Sequence, residues 1–270
     1  MIDAVAGRLF LKANSTIMYS RQFMFAAILL FISYAAVAQP ADPKIKGRDK
    51  IKVLAFDAFP VFDPRPVFGL AEELFPGHGK ALSDTWKTRL FEYQWQRMLS
   101  GNYKDFMGIV EDALVFSAKL HRLDLTTEKR EKLVHAFLNL KVWPDVMPAL
   151  AQLKKEGYQL VFLSNMTEQM LRQNLTGNEA EGFFTAIYST DMNHSYKPAP
   201  AAYELAVKHL HLRKEEIGFV AFAGWDAAGA KTFGYPTFWV NRLKTPAEEL
   251  DVKPDWTGNT LQELADALVQ

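Results

Sequence analysis

An α/β fold, with a doubly wound parallel sheet and an inserted helical subdomain, is predicted by three features of the chain. Short apolar runs rich in strand formers alternate with stretches whose apolar residues recur at helical spacing, a pattern that lays strands side by side beneath helices on both faces. One interval, residues 69–140, interrupts the alternation with helical patterning throughout. The chain has 270 residues, 49% of them hydrophobic, which is enough for one large or two modest cores and excludes a mainly disordered protein.

In chain order, residues 1–38 read as an export leader. Arg21 gives a positive start, Phe23 to Ile32 is an unbroken apolar run, and Ala36-Val37-Ala38 supplies small residues at a cleavage site before Gln39. The run is short for a membrane crossing, so release to the periplasm or outside is expected, with a retained membrane anchor as the alternative. A polar, Pro-containing linker covers residues 39–50. Ile51–Phe56 is the first strand, and Gln159–Leu163, Phe219–Ala223 and Thr237–Val240 are further ones, each apolar enough to be covered on both faces. Helices are expected over Leu82–Leu99, Lys104–Leu120 and Thr127–Leu140 in the inserted interval, and over Val146–Glu156, Thr167–Asn174, Ala199–Leu212, Asp226–Phe233 and Thr260–Val269 in the core. The organisation is thus a Rossmann-like core of residues 51–68 and 141–270, with a cap subdomain at 69–140.

Composition removes several classes of function. The 31 basic and 31 acidic residues cancel, so no broad positive field draws the protein onto nucleic acid. With no cysteine there is no disulfide, thiolate metal site or thiol nucleophile. The six histidines (His78, His121, His135, His194, His209 and His211) lack metal-ligand spacing.

Ligands of open α/β sheets bind beyond the carboxyl ends of the strands, and chemistry-bearing residues follow the apolar runs there. The first run enters Asp57, the second ends in Ser164-Asn165, the third precedes Asp226 in Gly224-Trp225-Asp226, and a separate loop carries Tyr196-Lys197-Pro198. Each has a plainer explanation as well. Asp57, Asp226 and Ser164-Asn165 stand where turn or helix caps are common, and Lys197 stands where a solvated loop lysine would. Trp86, Phe91, Tyr93 and Trp95 fit helix packing better than a pocket.

The order Asp57, Ser164, Lys197, Asp226, with an insertion after the first, resembles the haloacid dehalogenase superfamily from Ile51 onward. Within it the chain is most similar to the type II (S)-2-haloacid dehalogenases, through Trp86–Tyr93, Leu163-Ser164-Asn165, Tyr196-Lys197-Pro198 with Tyr203, Trp225-Asp226-Ala227 and Gly234–Arg242. The resemblance implies that Asp57 attacks the halogen-bearing carbon of a short (S)-2-haloacid and forms an ester that water opens to a 2-hydroxy acid. Lys197 would supply the opposite charge to Asp57, Asp226 would position that lysine or water, and Ser164 and Asn165 would hold the substrate, with Tyr203 beside them. Lys87 takes the place of the family's usual cap arginine, with Arg89 and Arg65 as possible substitutes. It also implies a possible homodimer.

Departures from the superfamily's pattern bear on the reaction. Its phosphatases carry a second acid two residues after the nucleophile, where this chain has Phe59, and a magnesium-binding acid four residues before Asp226, where it has Phe222. Halide leaves carbon without a proton, so these absences favour carbon–halogen cleavage with no metal and no cofactor. The type II family's usual Gly-Thr after the nucleophile is Pro60-Val61, and its Ser and Asn before the last motif are Ala221 and Ala223. A magnesium-dependent phosphatase and a non-catalytic exported binding relative are the rival readings.

Overall fold

The computed structural model describes Ile45 and residues 47–269. The expected leader, and the linker through residue 44, lie outside the described residues. The linker's end is not free of the core: Ile45 is buried, and Arg48–Lys50 form a 3-10 turn with Arg48 Nη1 donating to Leu268 O at 3.4 Å.

The elements run β1 (Val53–Phe56), β2 (Phe62–Asp63), α1 (Arg65–Leu74), α2 (Gly79–Leu99), α3 (Phe106–Leu120), α4 (Thr127–His135), β3 (Lys141–Val142), α5 (Val146–Lys155), β4 (Gln159–Ser164), α6 (Glu168–Thr176), β5 (Ala186–Ser189), α7 (Pro200–Leu210), β6 (Ile217–Ala221), α8 (Gly224–Phe233), β7 (Thr237–Val240), β8 (Trp256–Gly258) and α9 (Leu261–Val269). Six strands form one parallel sheet in the order β5-β4-β1-β6-β7-β8. All four β1 residues are buried, because Leu54 and Phe56 face one layer, with α5, α6 and α9, while Val53 and Ala55 face the other, with α7 and α8. The chain builds outward from β1 through β4 to β5, then returns to β6 on the other side of β1. That reversal opens a crevice at the carboxyl ends of β1 and β6.

Helices α1–α4 form the inserted unit. The chain leaves and re-enters the core through an antiparallel pair, Phe62↔Val142 and Asp63↔Lys141. Buried Trp86 on α2 donates its indole N–H to Val110 O on α3 at 2.8 Å, and the apolar cluster runs unbroken from these helices down to the sheet.

The differences from expectation have local causes. Helix α1 starts at Arg65, ahead of residue 69, with proline in its first turn, where the missing N–H costs nothing. The stretch Thr127–Leu140 is not one helix. It ends at His135 and tightens into a 3-10 turn over Ala136–Leu138, because the buried Asn174 amide donates to Phe137 O and accepts from Leu140 N–H. Strand β6 stops at Ala221, so Phe222 and Ala223 belong to the turn beyond it. Strands β2, β3, β5 and β8 span two to four residues each, too few to show a period.

Candidate active site

Three ionisable side chains meet at the crevice. Asp57 follows β1 directly, its N–H held by Val220 O of β6 at 3.0 Å, which fixes the side chain at the strand end. Lys197 lies in the loop before α7 and is 1% exposed, so it is no solvated loop lysine. Its Nζ donates to Asp57 Oδ1 at 2.9 Å and to Asp226 Oδ2 at 2.5 Å. Asp226 stands in the first turn of α8, whose cap position is Ala223. Its side chain is committed to Lys197 and to the Tyr203 hydroxyl, which donates to Oδ1 at 2.7 Å, so capping is not its purpose.

Close packing makes this possible. A Cβ on Gly229 would lie 2.5 Å from the Tyr203 hydroxyl and 2.7 Å from Pro198, so only glycine there lets α8 approach both. Burial pushes the Asp226 carboxyl up to about 6 against the pull of Lys197, and the charge of Asp57 adds to the rise. Burial by itself would lower the pKa of Lys197, but the two carboxylates outweigh it and the ammonium holds its proton more tightly than usual. Both directions follow from one cation serving two carboxylates out of water. Burial also raises the Tyr203 phenol well above its ordinary value, so the hydroxyl stays a donor.

The two oxygens of Asp57 differ. Oδ1 accepts from Lys197 and, at 3.4 Å, from Ser164 Oγ, whereas among the described residues Oδ2 accepts only the Phe59 N–H at 3.3 Å. Asn165, expected to hold substrate, lines the cavity with its amide bonded internally. Its Oδ1 accepts from Lys197 N–H at 3.0 Å and from Thr190 Oγ1 at 3.2 Å, and its Nδ2 donates to Gln94 Oε1 at 2.8 Å. Gln94 is buried on α2, so this amide pair joins the inserted helices to the loop carrying Lys197. Trp95 adds a second tie, its indole N–H donating to Lys197 O at 3.1 Å.

The expected cationic residues separate. Lys87 lines the cavity over the Phe68 ring at 4.3 Å, with Asp84 at 3.7 Å as a distant partner. Arg65 also lines it but is locked onto Asp63 by a 2.7 Å ion pair. Arg89 does not reach it: the guanidinium pairs with Glu92 at 2.7 Å over the Phe116 ring, since α2 turns that face outward. Tyr203 is likewise absent from the lining, because its hydroxyl is spent behind Lys197 on Asp226. Of the α2 aromatics, Trp86 and Tyr93 pack as expected, while Phe91 lines the cavity and Trp95 braces Lys197.

The cavity beside Asp57 has a volume of about 240 Å³. Phe59, Phe222, Ala223 and Trp225 line its core side, and Phe68, Leu90, Phe106 and Phe137 its helical side. The donor set does not suit magnesium. The side chains of Phe59 and Phe222 offer no oxygen, a lysine ammonium already lies between the two carboxylates, and no three His, Asp or Glu side chains come together as ligands among the described residues. Sequence reasoning passed over Gln94, whose signal was available: it continues the buried series Trp86, Leu90, Gln94 at four-residue spacing, an amide on an apolar stripe.

A model of the haloacid dehalogenase-like hydrolases matches residues 80–240. The chain is 36% identical to an (S)-2-haloacid dehalogenase of Pseudomonas sp. (strain YL) over 219 residues, which is 81% of this chain and 94% of that one. The crystal structure of an L-2-haloacid dehalogenase overlays with a TM-score of 0.80 and 37% identity, covering 82% of this chain and 99% of that one. An L-2-haloacid dehalogenase from Xanthobacter autotrophicus, solved with chloropropionic acid covalently bound, overlays with a TM-score of 0.75 at 26% identity over 81% and 98% of the two chains.

Proposed function

The chain belongs to the haloacid dehalogenase-like hydrolases, and from that premise we propose that it hydrolyses the carbon–halogen bond of (S)-2-haloacids through an ester on Asp57, without a metal. The observation that carries this reading is the asymmetry of Asp57: one oxygen anchored by Lys197 and Ser164, the other held by a single long backbone bond beside an apolar cavity.

In the first step Oδ2 attacks the carbon bearing the halogen from the side opposite it, and halide departs with the bonding pair, inverting the centre. No acid is required for that departure, which suits a site with Phe59 where a general acid would stand. Lys87, the less firmly paired cavity cation, binds the substrate carboxylate or the leaving halide. In the second step water adds to Cγ of the ester, and negative charge collects on Oδ1, where Lys197 Nζ and Ser164 Oγ already donate. Breakage of the Cγ–Oδ2 bond, with one water proton passing to the departing oxygen and the other to solvent, releases the 2-hydroxy acid and returns a carboxylate carrying the water oxygen. Covalent chloropropionic acid in the Xanthobacter autotrophicus relative supports an ester intermediate in this family member. We further propose export, resting on the apolar run Phe23–Ile32 and the small residues before Gln39; a periplasmic fraction should yield protein whose first residue is Gln39.

The test is chloride release from (S)-2-chloropropionate in excess chelator, beside Asp57→Asn. The expected result is activity insensitive to chelator, none in the variant, and one heavy oxygen in the Asp57 peptide after a single turnover in labelled water. Phosphate release from an aryl phosphate that needs added magnesium would instead favour a phosphatase, and a folded protein that turns over neither substrate would favour a binding role.

A further inference from the structure

We propose that the preferred substrates are 2-haloacids whose second substituent is a bulky apolar group, an arylmethyl or medium alkyl chain, rather than haloacetate or 2-halopropionate. This rests on the dehalogenase reading above and adds its substrate class.

Few polar groups in the cavity remain free to meet a substrate. Eighteen residues line it, and six are polar or charged. Three of those have their side-chain polar atoms committed inside the protein: Asn165 to Gln94, Thr190 and Lys197, Asp226 to Lys197 and Tyr203, and Ser164, which donates to Asp57 Oδ1 and accepts from Met166 N–H; Arg65, at the exposed rim, spends Nε and Nη2 on Asp63. What remains is Asp57 Oδ2, Lys87 and Arg65 Nη1, enough to meet one reacting carbon and one carboxylate. The other twelve lining residues are apolar, seven of them aromatic.

Size agrees with chemistry. A dry cavity of about 150 Å³ accommodates benzene, and this one, about 240 Å³, leaves room for a ring beside the carboxylate and halogen. A two- or three-carbon acid would leave most of the aromatic lining against water. Phe59 and Phe222 meet edge to face at 5.8 Å beside the nucleophile, and Phe68 and Phe137 do so at 6.4 Å on the helical side, so a ring on the substrate has faces and edges to pack against on both. Each methylene fully buried should raise kcat/KM about fourfold, and a benzyl or butyl group should raise it at least about tenfold over methyl.

The experiment compares chloride release from (S)-2-chloro-3-phenylpropanoate, (S)-2-chlorohexanoate and (S)-2-chloropropionate by the full chain, and by Ala223→Leu, which fills part of the cavity. Support is a kcat/KM at least about tenfold higher for the two large acids, with that ratio falling toward one in Ala223→Leu. Equal or lower values for the large acids, with chloride still released from chloropropionate, would overturn the substrate class and leave the dehalogenase reading standing. No chloride from any of the three would remove that reading and this inference with it.

Discussion

Replacing Lys197 with methionine keeps most of the side chain's apolar stem and deletes the charge. The ammonium lies 2.9 Å from Asp57 and 2.5 Å from Asp226, with side-chain exposures of 1% for Lys197, 12% for Asp57 and 2% for Asp226. Without it two carboxylates face each other out of water, and removing one member of a buried ion pair costs about 3–5 kcal/mol. For a domain of this size each kcal/mol lowers Tm by about 2–4 °C, so Lys197→Met should melt about 6–20 °C below the parent. The loss should also depend on pH in a defined sense. The Asp226 carboxyl, already raised to about 6 by burial, rises further without its cation. A carboxyl raised in the folded state contributes stability below its unfolded value, near 3.8, and loses it as pH climbs through the folded value. The deficit should therefore be smallest near pH 5, where Asp226 takes up a proton, and largest above pH 8. Adding Asp226→Asn should recover part of the loss, with a coupling of about 1–3 kcal/mol. Urea melts at pH 5, 6.5 and 8 on the parent, both single variants and the double variant measure this. A deficit under about 1 kcal/mol, one that does not change with pH, or strict additivity would refute the picture of a cation shared by two buried carboxylates.

Tyr203→Phe removes the donor to Asp226 Oδ1; it should cost about 1–3 kcal/mol and move the acid limb of the chloride-release profile to higher pH, whereas an unmoved limb would detach Tyr203 from the triad. Gln94→Leu leaves the Asn165 amide without its partner on α2; kcat should fall several-fold with KM nearly constant, and Gln94→Glu, which keeps an acceptor, should retain more activity than the leucine variant. Arg242 donates to Pro60 O at 2.7 Å and to Asp145 Oδ1 at 2.7 Å, bracing the turn after the nucleophile. Arg242→Ala should cost about 3 kcal/mol in a urea melt, and Arg242→Lys should restore little of it, because a point charge cannot serve both acceptors as the planar fork does.

Much of the site was legible in the chain because its groups sit at strand ends. Asp57 must emerge at the sheet edge once Ile51–Phe56 is buried on both faces, and Asp226 must follow β6 for the same reason. The absence of a side-chain oxygen at Phe59 and Phe222 is likewise a property of residue type, visible without coordinates. Helix boundaries were legible where a side chain caps the backbone locally, as Thr167 does for α6 and Asp105 for α3. They were not legible where the partner is remote, as with Asn174 at the end of α4.

The alternation of apolar runs determined the layered fold and the set of residues at its edge, because burial of a strand is a matter of pattern within a few neighbours. Which of those residues remain available was decided by contacts between segments far apart in the chain. Asn165 is consumed by Gln94, 71 positions away, Tyr203 is spent on Asp226, and Arg89 is turned outward by the pitch of α2. A hydrogen-bonding group has limited capacity, and only the tertiary structure shows where that capacity has gone.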